Sequence, residues 1–361
     1  MGGLEPYDAI LVASYGGPDG PDDVLPFMRN ATAGRGIPDE RLVEVSGHYQ
    51  LFGGRSPINE RNAELVAALH AELGRLGVDV PVVIGNRNWH PFFAETLREL
   101  ADAGARRVLV LLTAAYASYS SCRQYRENLA DALAEAGVDL QLDKIGPYAE
   151  SFGFVRANAR AVTNALGAWD EEERSGVRVL FVTHSIPRAM DAASGPGGAD
   201  GTYSAQHARV ARRIMARVRE EAGLEPDWEI AYCSRSGAPH IPWLEPDVND
   251  RLEELAAQGV NRVLAVPFGF VNDHMEVVYD LDTQAAETAE RLGLSYVRAA
   301  TAGTDRAFVA ELADRLLMRA AVARGEAEAP ASERYLCPAS CCGSGRPGGP
   351  TQPTICSERT S

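Results

Sequence analysis

Eight short apolar runs alternate with longer amphipathic stretches along nearly the whole chain, and this alternation constrains the fold more than any other feature. The runs lie at 9–13, 81–85, 107–113, 140–145, 177–183, 229–233, 262–267 and 295–298. They are near-continuous in Val, Ile, Leu and Ala, as expected of parallel strands buried on both faces. Helix-like segments lie between them at 58–75, 92–103, 123–136, 152–166, 203–222, 248–258, 276–292 and 305–323. Glycines close several of these, among them Gly77, Gly104, Gly137, Gly223, Gly259 and Gly293, where a helix stop is expected. The pattern divides into two sets of four around 167–176. It predicts an α/β fold of two similar doubly wound parallel-sheet lobes facing a central cleft, over 1–168 and 169–324. Residues 325–361 form a cysteine-rich tail without a core-forming pattern. In such sheets ligands bind beyond the C-terminal ends of the strands.

Composition narrows the function. The chain has 361 residues and a formal charge of −15, which argues against nucleic acid or an anionic membrane as the main partner. No run approaches the roughly 20 apolar residues that span a bilayer. The N-terminus lacks the basic and long apolar regions of a signal peptide. Stable membrane insertion is therefore not expected, and a cytoplasmic protein is. The lone lysine, Lys144, among 35 basic residues is read as compositional bias.

The chemistry-bearing motifs fall at strand ends. In VLFVTHSIPRAMD the strand ends on His184, and Pro187 prevents its continuation. A histidine there can exchange protons near neutrality or bind a transition metal. In VPFGFVNDHMEVVYDLD the chain turns at Gly269–Phe270. Asp273 is expected to cap a helix with Glu276, Asp280, Gln284 and Glu287 on one face. Such a stripe of oxygen ligands can pass a hydrated divalent cation inward. In HYQLFGGRSPINERN, Ser56 and Pro57 read as N-cap and first helical residue. YGGP at Tyr15–Pro18 is not a P-loop, and no GxGxxG follows the first strand, which excludes the usual nucleotide loops. GNRNWHPFF and SYSSCRQYREN add aromatics (Trp89, Phe92, Tyr119, Tyr125) and cations (Arg87, Arg123, Arg126). Together these suit a large flat aromatic ligand carrying carboxylates. In the tail, CPASCCGSGRP places Cys337, Cys341 and Cys342 together, with Cys356 beyond. No CxxC pair of the zinc type occurs, whereas four thiolates can hold a [2Fe–2S] group.

These residues carry a resemblance. The sequence resembles the ferrochelatases, which insert ferrous iron into a porphyrin. THSIP around His184 is similar to that family's histidine motif, and GFVNDHMEVVYDLD to its glutamate motif, with Glu276 in the functional position. LVASYGGP, HYQLFGGRSPIN, GNRNWHP and SRSGAPHIPWLEP are also similar to family segments, and the resemblance runs over about residues 7–322. It implies two α/β lobes around a porphyrin cleft and Fe2+ as substrate. It further implies the bacterial branch acting on coproporphyrin III in haem biosynthesis, because Tyr15 stands where that branch carries a tyrosine axial to the iron. By the same resemblance Ser56 and Tyr125 contact the porphyrin, His184 and Glu276 contact the iron, and Asp280 extends a metal relay. Thr32 and His48 stand where some relatives have arginine, and Gln284 where many have a carboxylate. Some members carry a [2Fe–2S] cluster bound by a C-terminal extension plus one body cysteine. That implies Cys337, Cys341 and Cys342 as ligands, with either Cys356 or Cys122 as the fourth. The expected partners are coproporphyrin III and Fe2+, with a transient contact to the next haem-pathway enzyme. Alternative readings are a protoporphyrin IX ferrochelatase, a cobalt chelatase, and a haem-binding relative without turnover.

Overall fold

The computed structural model describes residues 3–34, 36–195, 201–237, 240–346 and 352–358. The first half holds β1 (Ala9–Ser14), α1 (Val24–Ala31), α2 (Asp39–Gln50), α3 (Ile58–Arg75), β2 (Val82–Asn86), α4 (Phe93–Asp102), β3 (Arg107–Leu112), α5 (Gln124–Ala136), β4 (Gln141–Lys144) and α6 (Phe152–Leu166). The second half holds α7 (Glu171–Arg174), β5 (Val177–His184), α8 (Arg188–Ala192), α9 (Tyr203–Ala222), β6 (Trp228–Cys233), α10 (Val248–Ala257), β7 (Arg262–Val266), α11 (Met275–Tyr279), α12 (Ala285–Leu292), β8 (Ser295–Arg298) and α13 (Arg306–Ala323). All strand pairs are parallel, in the orders β2-β1-β3-β4 and β6-β5-β7-β8. The two halves therefore repeat one topology.

The period-two alternation of side chains across a strand sorts the apolar runs into separate cores. Leu11 and Ala13 of β1 face a core shared with Leu97 of α4 and Leu129 of α5. Their neighbours Ile10 and Val12 face the opposite way, into a core that also contains Phe181 of β5, Val266 of β7 and Leu312 of α13. That second core is continuous between the sheets. Each fully buried large aliphatic side chain in it is worth ~1.5–3 kcal/mol, so the lobes are held in register by shared burial.

Two helices differ from the sequence reading. The segment expected as one helix over 276–292 is α11, then a π-helical turn at Asp280–Gln284, then α12. The segment expected to start at Arg123 is preceded by a π-helical turn at Tyr119–Arg123, which runs into α5. Single π turns inside helices are common at functional sites. These two follow the third strand of each sheet and so occupy equivalent places.

The tail is ordered on the body by buried cations as well as by Ile355, which enters the core of α4 and α5. Arg126, 1% exposed, donates to the carbonyls of Ile355 (2.9 Å) and Cys356 (3.2 Å) and to the hydroxyls of Thr354 and Ser357 (3.1 Å each). Arg123 donates to the carbonyls of Ala339 (2.5 Å) and Cys341 (3.1 Å) and pairs with Glu127 at 2.7 Å. Lys144, buried in β4, donates to the Arg334 carbonyl at 2.6 Å. The tail also reaches the second half, where the Gly343 N–H donates to the Ala193 carbonyl just after α8 (3.1 Å). Arg123 and Arg126, expected to grip a ligand's carboxylates, are thus committed to tail backbone, because carbonyls without a strand partner need donors.

Hydrogen bonds to a charged donor contribute ~1.5–3 kcal/mol each. Arg126→Met therefore releases residues 352–358 and makes them a preferred proteolytic site, while β-sheet unfolding shifts little. Limited proteolysis with mass mapping reads this, and an unchanged cleavage pattern would refute the clamp.

Candidate active site

The loops beyond the strand ends of the two sheets converge, and the sequence motifs converge with them. Gly269 follows β7 against the end of β5, where a Cβ on it would lie 2.1 Å from Thr183 Oγ1. Glycine is needed there for close approach. The approach brings the residues after β7 beside His184.

His184 ends β5 and is half-buried. Its Nδ1 contacts the Ser185 carbonyl. A carbonyl only accepts, so Nδ1 carries the hydrogen, and Nε2 is the nitrogen that gains or loses the titrating proton. Nε2 faces Glu276 Oε2 at 3.6 Å. Burial pushes the imidazole pKa down, but the charge and hydrogen bond of Glu276 outweigh it, aided by the Ser185 carbonyl and Asp280. The net value is raised to about 8.

Glu276 is exposed and stands in the first turn of α11. The cap of that helix is not Asp273, whose carboxylate is held by Arg298 at 3.1 Å. His274 caps it instead, Nδ1 accepting the Glu276 N–H at 3.2 Å. Burial lowers the His274 pKa, which keeps that acceptor neutral. His274 was missed in sequence because Asp is the commoner cap. Its position two residues before Glu276 was the available signal.

Asp280 opens the π turn and is buried. Its carboxylate accepts from Ser234 Oγ. Burial raises its pKa to about 6, with Ser234 opposing and Glu276 adding to the rise. Ser234 itself sits at φ 59°, left-handed backbone that costs ~1–3 kcal/mol in a non-glycine residue. Gln284 and Glu287 are exposed while Asp280 is buried, and the π turn between Asp280 and Gln284 interrupts the single helical face expected for the four side chains.

The first half supplies an aromatic wall. Tyr15 lies edge-on to Phe27 (6.2 Å between centroids), and Phe27 also contacts Tyr49 (5.9 Å) and Trp89 (6.3 Å). Tyr49 is half-buried against Phe27, and Glu276 is among the charges acting on it, which puts α2 over the same space. His48 of α2 stacks on Tyr279 of α11 at 3.9 Å and 13°, joining the two halves. Tyr125 is buried in α5 against Phe93. Ser56 is buried, and α3 begins at Ile58 as the pattern predicts, but its N-cap is Pro57 rather than Ser56. The Ser56 hydroxyl is 3.5 Å from the Ile58 N–H and faces the YGGP turn, where a Cβ on Gly17 would lie 2.6 Å from Ser56 Cβ. His184, Glu276 and Asp280 thus form one group, with Tyr15 and Tyr49 across from it. Residues 238 and 239 of the SRSGAPHIPWLEP segment lie outside the described residues.

The cysteines form a second group. Cys341 Sγ is 3.6 Å from Cys342 Sγ. Cys342 also hydrogen-bonds Cys122, and Cys341 hydrogen-bonds Cys337. A left-handed residue at Cys342, φ 55°, turns the chain there. Hydrogen bonds from neighbouring thiols hold Cys341 and Cys122 below the ordinary range, while their partners Cys337 and Cys342 are pushed up. Lys144 and Arg126 add positive charge beside the group. Cys356 stands apart, its thiol 3.5 Å from the Leu142 carbonyl. Among the described residues, no three His, Cys, Asp or Glu side chains are arranged to hold a metal ion as they stand. No helix among them is long and apolar enough to cross a membrane.

A profile of the ferrochelatase family matches residues 7–320. The chain is 51% identical over 350 residues to a coproporphyrin III ferrochelatase of Streptomyces coelicolor, covering 93% of each. It is 48% identical to another of Leifsonia xyli, over 87% of this chain and 84% of that one. Among solved structures, the sirohydrochlorin chelatase SirB of Bacillus subtilis subspecies spizizenii in complex with cobalt is similar in fold. Its TM-score is 0.51 at 12% identity, covering 90% of this chain and 98% of SirB.

The opposing effects on His184 are separable. In Glu276→Gln the burial contribution is left with less to oppose it, so the His184 pKa falls from about 8 toward or below the ordinary 6.5. NMR titration of the imidazole measures this; a value still near 8 would show that Glu276 is not the cause.

Proposed function

This chain belongs to the ferrochelatase family, and from that premise we propose that it inserts Fe2+ into coproporphyrin III, giving the iron porphyrin and releasing two protons. The observation that carries the reading is the His184–Glu276 pair, in which Nε2, the nitrogen that titrates, faces Glu276 Oε2 at 3.6 Å while Nδ1 is held by the Ser185 carbonyl. The names of the relatives at about half identity support the substrate.

The residues divide the work as follows. Tyr15 and Tyr125 pack on the macrocycle, and the buried Ser56 hydroxyl bounds its edge. Hydrated Fe2+ exchanges waters for oxygen donors along the Gln284 amide and the Asp280 and Glu276 carboxylates, since hard oxygen donors suit an incoming divalent cation. A pyrrole N–H proton passes to His184 Nε2, because Nδ1 is already occupied by its hydrogen to Ser185. The imidazolium so formed is stabilised by Glu276, which then releases the proton toward solvent along the exposed face of α11. The site of action in this reading is the cytoplasm.

A [2Fe–2S] group bound by Cys122, Cys337, Cys341 and Cys342 belongs to the same reading. The donor types suit it: Cys122, Cys342, Cys341 and Cys337 form a chain of pairwise thiol contacts, with cations beside them that favour thiolates, and their side chains would re-orient to bind iron. Such a group, when bound, supplies a four-thiolate cross-link and a one-electron centre. Iron insertion transfers no net electron, so its role here is to hold the tail.

A second substrate reading, protoporphyrin IX, is separated by measuring iron insertion into the two porphyrins side by side. His184→Ala and Glu276→Ala should each lower anaerobic insertion by roughly a hundredfold or more, as expected for loss of a positioned general base. Activity surviving both would remove the site assignment. Because Nε2 accepts only when unprotonated, the wild-type rate should climb as pH rises through about 8; a flat profile there would count against proton acceptance by His184. Anaerobically purified protein should be coloured and contain iron with acid-labile sulfide. Cys122→Ser should abolish that colour and Cys356→Ser should keep it.

A further inference from the structure

Tyr15 and Tyr125 stand on the same side of the cleft and share one cation. The Arg87 guanidinium carbon is 5.4 Å from the Tyr15 ring centroid and 5.7 Å from that of Tyr125. Arg87 is the first residue beyond β2, and its N–H donates to the Ser14 carbonyl at 2.9 Å, so its backbone is fixed to the end of β1. The side chain is half-buried and pairs with no carboxylate among the described residues. Neighbouring arginines differ in this respect: Arg29 is bound to Asp39 (2.7 Å), and Arg123 to Glu127 (2.7 Å).

We infer that Arg87 is a carboxylate anchor of the cleft, holding a propionate of the tetrapyrrole and favouring a substrate that carries one on every ring. This rests on the porphyrin reading above and deepens it. Ring contact engages the face of a guanidinium, while its N–H donors lie in the plane and remain free for a bidentate carboxylate. Leaving a half-buried cation unpaired is costly, so the bound carboxylate completes the site.

The other groups that could take this load are committed. Arg123 and Arg126 hold tail carbonyls. The Thr32 hydroxyl donates to the Met28 carbonyl at 2.7 Å. A tetrapyrrole with four propionates presents a carboxylate to Arg87 in any in-plane orientation. One with two propionates and two vinyl groups does so only in some, and otherwise leaves the cation against an apolar edge. The arrangement therefore selects against vinyl groups as well as for carboxylates.

The test compares binding of coproporphyrin III and of its uncharged tetramethyl ester by fluorescence titration, with wild type, Arg87→Leu and Arg87→Lys. Arg87→Leu should weaken coproporphyrin III roughly tenfold or more, as for loss of a charged hydrogen-bonding partner, and move the ester little. Arg87→Lys should recover part of the loss and less of the preference over protoporphyrin IX, since a lysine is a point charge without the fork. Equal weakening of acid and ester by Arg87→Leu would mean a packing role and overturn the inference. So would unchanged binding of both. Should the wild type neither bind coproporphyrin III nor insert iron, it is the porphyrin reading that fails, whatever the variants do.

Discussion

The geometry of the cleft depends on one buried contact between the two halves. The ring of Tyr116, in the loop after β3, stacks on the imidazole of His207 in α9 at 3.6 Å and 10°. Phe268, just after β7, meets both rings edge-on, and the Tyr116 hydroxyl donates to the Phe268 carbonyl at 3.2 Å. His207 is fully buried, and burial lowers its pKa to about 3, so it stays neutral. Its Nδ1 faces the Tyr203 carbonyl at 2.8 Å and must carry the hydrogen; Nε2 then accepts from Thr183 Oγ1 at 2.9 Å. Thr183 immediately precedes His184, and the Tyr203 hydroxyl lies 3.1 Å from the His184 carbonyl. The stack that joins the halves is thus one residue away from the proposed base. A relative shift of the lobes cannot occur without disturbing His184.

Charge follows the same division. The formal charge of −15 is uninformative as a sum, because exposed charges are solvent-screened and even their pairs with arginine contribute little each. What matters is where charge lacks room to relax. Around His184 two carboxylates act on one imidazole, and one of them, Asp280, is itself buried enough to resist ionisation. Around the tail the imbalance is reversed: buried Arg123, Arg126 and Lys144 face carbonyls and thiols. The chain's single lysine, read as compositional accident, is a structural donor at the tail seam.

Legibility in the sequence followed the range of the interaction. Strands and most helices were readable because they depend on local apolar patterning; β5 was displaced by only its last residue, and that residue is His184. His184, Glu276 and Asp280 were readable as strand-end and helix-start residues, and the structure groups them. The cap at His274 was not, because it depends on Arg298, which comes from β8 and removes Asp273 from competition. Nor were the roles of Arg123 and Arg126, which depend on a tail more than two hundred residues later in the chain. Spacing left the fourth cysteine open between Cys122 and Cys356. Packing of the tail on the Tyr119–Arg123 turn brings Cys122 to the other thiols and turns Cys356 toward β4.

The two π turns connect these observations. Each follows the third strand of its sheet, and each carries a side chain that must point inward where the helix surface would otherwise face outward. In the first half that residue is Cys122, directed at the tail thiols. In the second it is Asp280, directed at Ser234 beneath Glu276. A π turn widens the helix by one residue and leaves a carbonyl without its ordinary partner, a cost that an ordinary surface helix has no reason to bear. In both halves the cost coincides with a buried polar side chain held by hydrogen bonds. The repeated topology thus provides one device twice: a strand end, a short loop and a widened helical turn that buries one polar side chain. One copy serves the cleft and the other serves the tail, and the Tyr116–His207 stack lies between them.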